Sequence, residues 1–294
     1  MNFIKNKVKI FIRNIKYLIK LIKEKEIPKQ SIYNTNLKIK NLSDLKKPRS
    51  EDKPILLLSS YYFKVTTTRI NEFNQMFTFL NNFDIFFFNH QDRDSYMRKH
   101  WVDNPIYELY KRSKFHQMKS DIFRYCFIFE NGGYWLDFKS SVFFNIDELM
   151  DSQNETLLIL SSQKIEKNFE FLKDQSLLNI TEGNIINNWV FGGKKNSNFL
   201  KYVIDNISED YFQYLDKKFT YPKQAILELT GPYKITELFY RYINVDNNKL
   251  KEFYIVNESE YEFKYISDHG RDFKLIDNVF TKHYSNIKNK KIIK

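Results

Sequence analysis

Cysteine is nearly missing from this chain: Cys126 is the single cysteine in 294 residues. An intramolecular disulfide framework is thereby excluded, and nothing opposes a reducing compartment. Cys126 falls on the apolar side of a helical pattern, so it reads as a small buried hydrophobe rather than a nucleophile. Long uncharged runs are missing too. The longest near the amino terminus are too short to span a bilayer, and no signal-peptide core with a cleavage site follows them, so a cytoplasmic or membrane-peripheral location is expected. Zinc-finger spacings and RNA-binding signatures are also absent, which weighs against nucleic acid as a partner.

The formal charge of +11 points toward nucleic acid only until it is divided by region. Residues 1–50 hold fourteen Lys and Arg against three Asp and Glu, and residues 51–294 hold thirty-three of each. The basic character therefore belongs to one end of the chain. Within it, Ile4, Val8, Phe11, Ile15, Leu18 and Ile22 recur at steps of four and three, with lysines mostly elsewhere around the helix. Residues 1–27 thus read as an amphipathic helix. It either lies on an anionic membrane surface or docks on the protein's own body. Ser31–Lys53, polar and ending toward Pro54, reads as a linker or irregular wrap, which divides the chain into residues 1–53 and a body of residues 54–294.

What the chain has in quantity is apolar and aromatic residues, 42% and 17% of its composition, enough to fill a core. Ile55–Leu58 suits a buried parallel strand, Thr66–Leu80 an amphipathic helix with Ile70, Phe73, Phe77 and Leu80 inward, and Ile85–Phe88 a second strand. Asn89–Asp92 is expected as a polar loop with His90 on its surface. Ile106–Met118 is expected as one helix leading into the next. Asp147 is expected to cap a helix beginning at Ile146. Leu157–Leu160 and Ile185–Gly193 read as strands. Phe199–Phe212, Lys223–Leu229 and Tyr233–Ile243 read as helices, and short strands follow between Phe253 and Phe263.

The organising stretch is Ser120–Lys139. Asp121 and Arg124 lie three apart on an otherwise apolar helix, so they share a face and must pair or meet a ligand. Asn131, Gly132 and Gly133 stop that helix, because Asn and Gly accept a left-handed backbone. Tyr134–Leu136 then forms a strand ending on Asp137, and a carboxylate at the carboxyl end of a strand is a usual ligand position in an α/β protein.

Lys119, Ser120, Asp121, Arg124, Tyr125, Gly132, Gly133 and Asp137 together resemble the signature of the family 32 glycosyltransferases, the Och1-like and capsular-polysaccharide enzymes. The resemblance is strong over about twenty residues and weaker over residues 54–283. It implies an α/β, GT-A-type nucleotide-sugar-binding fold, with a mostly parallel central sheet flanked by helices. It also implies transfer of a hexose, with retention, from a GDP- or UDP-sugar to a hydroxyl on a glycan, glycolipid or glycoprotein. Asp137, Asp121 and Arg124 take the catalytic positions in that pattern. Lys139, Asn188, Thr230 and Gly231 join them around the donor, with Asn187 second to Asn188. The family's Mn²⁺ or Mg²⁺ falls to Asp137 and His283, which matches better than His269, and Lys139 stands where the motif's second acid is expected. The rival reading is an inactive sugar-nucleotide or glycan-binding protein whose Asp-x-Asp has become Asp-x-Lys.

Overall fold

A computed structural model of the chain describes residues 29–31, 33, 35, 39–46, 53–60, 64–150, 154–164, 183–261, 263–265 and 287–294. The amphipathic pattern of residues 1–27 and both His269 and His283 lie outside them. Strands are β1 Lys29–Ser31, β2 Ile39–Lys40, β3 Ile55–Ser59, β4 Lys64–Thr66, β5 Asp84–Phe88, β6 Gly133–Asp137, β7 Ser140–Val142, β8 Thr156–Lys164, β9 Asn184–Gly193, β10 Phe253–Asn257 and β11 Phe263–Tyr265. Helices are α1 Thr67–Leu80, α2 His90–His100, α3 Pro105–Arg112, α4 His116–Asn131, α5 Asn198–Asp210, α6 Pro222–Leu229 and α7 Pro232–Val245.

A seven-stranded sheet in the order β10-β8-β9-β6-β3-β5-β2 forms the centre. It is mostly parallel, as expected: β9 alone among these strands runs antiparallel, to both β6 and β8. The central strands read as continuous apolar runs because both faces are covered. In β3, Ile55 and Leu57 enter the core under α2–α7, and Leu56 and Leu58 enter the opposite core under α1. In β5, Phe86 and Phe88 go one way and Ile85 and Phe87 the other. Each phenylalanine removed from water there contributes about 1.5–3 kcal/mol before entropy is charged.

The helix stop before β6 has a steric cause. Gly132 is at φ +70° and Gly133 at φ +103°, and a Cβ on Gly133 would lie 2.5 Å from the carbonyl oxygen of Ile55. Only glycine lets β6 begin that close to β3. From there the register carries Asp137 to a position beside Ser59, which in turn pairs with Phe88. The ends of β3, β5 and β6 therefore make one edge.

Several local expectations are corrected. Ile106–Met118 is not one helix, because the backbone leaves it at Ser113 and Lys114 to pair with the segment around Ile292 and Ile293; the Lys114 amide donates to the Ile292 carbonyl at 3.0 Å. Asn89–Asp92 is no surface loop: Asn89 accepts from the Gln91 and Asp92 amides and opens α2, so His90 is the first residue of a helix. Asn145, not Asp147, caps the turn at Ile146–Leu149, and Asp147 accepts the Tyr134 hydroxyl at 2.8 Å. Phe212, expected to pack, is exposed. The segment expected as linker contributes β2 to the sheet edge, where Lys40 pairs with Asp84 at 2.6 Å. Among the described residues, no helix is long and apolar enough to cross a membrane.

Candidate functional site

The site is built on α4 and the carboxyl end of β6. Asp121 and Arg124, one turn apart, are both buried, and Arg124 Nη2 lies 3.1 Å from Asp121 Oδ1. The guanidinium then reaches the sheet. Its Nη1 stands 3.3 Å from Asp137 Oδ1 and donates to the backbone carbonyl of Asn188. Its Nε donates to the Ser120 carbonyl at 3.3 Å, and its plane lies over the Trp135 ring, 4.6 Å from the centroid. Trp135 Nε1 also donates to Asp137 Oδ1 at 2.8 Å, so one indole supports both members of the ion pair.

Asp121 is held from two further parts of the chain. Asn188 Nδ2 donates to its Oδ1 at 3.0 Å, and the Thr230 hydroxyl donates to its Oδ2 at 3.1 Å. Asn187 and Asn188 are adjacent in β9, so their side chains leave on opposite faces, and β9 slips register against β8 at this point: Leu158 faces Phe191, and the next residue, Ile159, faces Asn187. Asn187 donates to Glu258 at 2.9 Å, away from the cluster. The Thr230–Gly231–Pro232 turn is tied down by the Tyr125 hydroxyl, which donates to the Thr230 carbonyl at 3.0 Å. Gly231 is needed there, since a Cβ would come within 2.8 Å of Leu227 Cα.

Five residues singled out from the sequence, Asp121, Arg124, Asp137, Asn188 and Thr230, thus meet in one hydrogen-bonded cluster, with Gly231 shaping the adjoining turn. Lys139 sits half-buried in the turn between β6 and β7. Ser120 and Tyr125 join the cluster as well; both belong to the family 32 signature, which assigns them no role here, and Trp135 joins without appearing in it. Nothing in the sequence marked Trp135 as the surface under Arg124.

Burial, the largest cause, pushes the Asp121 carboxyl up to about 7, and the charge of Asp137 adds to the rise, whereas Arg124, Thr230 and Asn188 oppose it. Burial also raises the Tyr125 hydroxyl, which therefore stays protonated and able to donate. Asp137 is the accessible member, its side chain 29% exposed against 10% for Asp121 and 6% for Arg124. Asp121 and Arg124 lie deeper and hold the Asp137 carboxylate in place.

The described residues do not fit a divalent cation. Asp137 Oδ1 is committed to Trp135 and Arg124, which leaves Oδ2 beside a guanidinium where an Mg²⁺ or Mn²⁺ needs several oxygen ligands. No group of three or more His, Cys, Asp or Glu able to hold a metal occurs among the described residues.

No family model matches the chain, and no curated protein matches it. Among solved structures, the chain is similar to the PaToxG glycosyltransferase, at 13% identity over 92% of each chain with a TM-score of 0.41. It is also similar to a glycosyltransferase involved in the glycosylation of the major capsid of PBCV-1, at 11% identity over 76% of this chain and 99% of that one, with a TM-score of 0.34. At such TM-scores and identities neither likeness bears on what this chain does.

Proposed function

We propose that the protein is a glycosyltransferase of the GT-A type, similar to family 32. It moves a hexose, with retention, from a nucleotide-diphosphate sugar to a hydroxyl on a glycan, glycolipid or glycoprotein. The observation that carries this reading is the accessible Asp137 carboxylate at a strand end, aimed by a buried Arg124 that Asp121, Asn188 and Thr230 hold in place. These residues come from α4, β6, β9 and the turn before α7, and they are the ones that the resemblance implies for a donor sugar.

In the reaction, the acceptor hydroxyl oxygen forms a bond to the anomeric carbon while the bond from that carbon to the diphosphate breaks. The diphosphate leaves with the electron pair, and the acceptor proton passes to it. Asp137 Oδ2 is placed to accept a hydrogen bond from a donor-sugar hydroxyl. Arg124 fixes the orientation of that carboxylate, and Asp121, which touches no solvent-facing partner, positions Arg124. The reading takes direct attack on the face the diphosphate leaves, with the Asp137 carboxylate hydrogen-bonded to the sugar and not joined to its anomeric carbon.

A second reading, a sugar-nucleotide or glycan-binding protein without turnover, is favoured by the commitment of Asp137 Oδ1 to Trp135 and Arg124. The deciding experiment measures hydrolysis and thermal shift with GDP-mannose, UDP-glucose, UDP-galactose and UDP-N-acetylglucosamine. Turnover of one donor that falls at least a hundredfold in Asp137→Asn supports the transferase. Binding without turnover of any donor supports the second reading.

A further inference from the structure

Next to the Asp121 cluster, α2 and α4 begin side by side. His90 is the first residue of α2 and His116 the first of α4, and their ring centroids are 4.1 Å apart. Two helix N-termini thus face one place, and aligned peptide dipoles leave partial positive charge at each. The two ends are furnished differently. Asn89 and Asp92 close a capping box on α2, but Phe115 gives the first amides of α4 no side-chain acceptor.

Arg93 lies one turn along α2 from His90, on the same face. It is 3% exposed, and its Nε has no hydrogen-bond partner among the described residues. The nearby acids are engaged elsewhere. Asp94 pairs with Lys119 at 3.1 Å and accepts the Tyr110 hydroxyl at 2.6 Å. Asp92 accepts the Asn89 amide, and Asp121 serves Arg124, Asn188 and Thr230. Lys119 stands one turn along α4 from His116.

The excess positive charge registers in the titrating groups. Burial first, then the charges of Arg93, His116 and Lys119, push His90 down to about 2. Burial brings Arg93 down to about 10, against the pull of Tyr110 and Asp94. A buried guanidinium with an open donor is costly as it stands, and an arriving anion would both fill the donor and neutralise the charge.

Resting on the transferase reading above, we propose that the place where α2 and α4 begin binds the diphosphate of the nucleotide sugar. Arg93 forms its floor, and His90, His116 and Lys119 form its rim. Arg93, Lys119 and the α4 amides there take up the negative charge that grows on the leaving group.

The test is calorimetric titration of the full chain with inorganic pyrophosphate in EDTA. Wild type is expected to bind, and Arg93→Met to weaken binding at least tenfold. His116→Glu, at an exposed position that leaves the fold intact, is expected to do the same, with circular dichroism confirming structure in both. UDP or GDP should displace the pyrophosphate. No binding by wild type, affinity unchanged in both variants, or simultaneous binding of pyrophosphate and nucleoside diphosphate would each overturn the inference. Sugar turnover combined with variant-insensitive pyrophosphate binding would remove this site and leave the transferase standing. Arg93-dependent pyrophosphate binding without turnover of any nucleotide sugar would keep the site and remove the transferase.

Discussion

Two arginines are buried to almost the same depth on opposite faces of the sheet, and they are provided for in opposite ways. Arg69, on α1, is 1% exposed. Its Nε donates to the Phe138 carbonyl at 3.1 Å, Nη2 to the Phe138 and Ser140 carbonyls at 2.6 Å each, and Nη1 to Ser141 Oγ and Glu72 at 2.8 Å each. The Phe73 ring lies beneath it at 4.2 Å. Arg93, on α2, is 3% exposed and leaves Nε without a partner among the described residues. The first arginine is a fastener that holds the turn after β6 to α1. The second bears a desolvation cost that Asp94 and Asp121 offset only in part, with one donor left open, and proteins keep such costs where a ligand relieves them.

Stability measurements can sharpen that contrast or break it. The largest effect is expected at Arg69. Arg69→Ala strands two backbone carbonyls and the Glu72 carboxylate, so urea unfolding should show a loss of about 3–5 kcal/mol. Arg93→Met keeps the volume and removes an unpaired buried charge. Its unfolding free energy should change by less than about 1 kcal/mol, or rise, even as anion affinity is lost. A loss at Arg93→Met as large as that at Arg69→Ala would mean that Arg93 is structural after all.

A further test lies in the pH dependence. Asp121 keeps its proton to a higher pH in the folded state than in the unfolded one, so its contribution to stability falls as pH rises from about 4 to about 7. His90 stays neutral in the folded state far below its unfolded value, so its contribution rises with pH up to about 6.5. The two offset one another in wild type. Asp121→Asn should leave a stability that climbs between pH 4.5 and 6.5, and His90→Asn one that declines, as read by thermal unfolding across about that range. Identical slopes in the two variants would show that one of these groups is not buried in its folded environment.

The parts of the molecule legible in the sequence are those written in local pattern. The buried strands β3 and β5 were plain from unbroken apolar runs, and the stop at Gly132–Gly133 from residue type alone. Asp121 with Arg124 followed from helical spacing. Asn188 and Thr230 came from the resemblance and not from any property of their own surroundings. What stayed hidden depends on partners distant in the chain. The break between α3 and α4 is made by residues near Ile292, and a helix pattern cannot register a backbone that leaves to pair elsewhere. Strand alternation sends Asn187 and Asn188 to opposite faces, but which face meets Asp121 and which meets Glu258 is decided by residues far away in the chain. No sequence pattern marks Arg93 as buried, because burial of a charged residue is decided by its neighbours.

The carboxylate of Asp121 ties together stretches that emerge from the ribosome far apart, Asn188 being 67 residues later and Thr230 109 residues later. Such contacts are slow to form, because the intervening chain must be ordered before they can close. A nascent chain halted before Thr230 has the helix and both acidic groups but lacks the last tether. Closure of the cluster therefore waits until residues 121–230 have all been made and brought together.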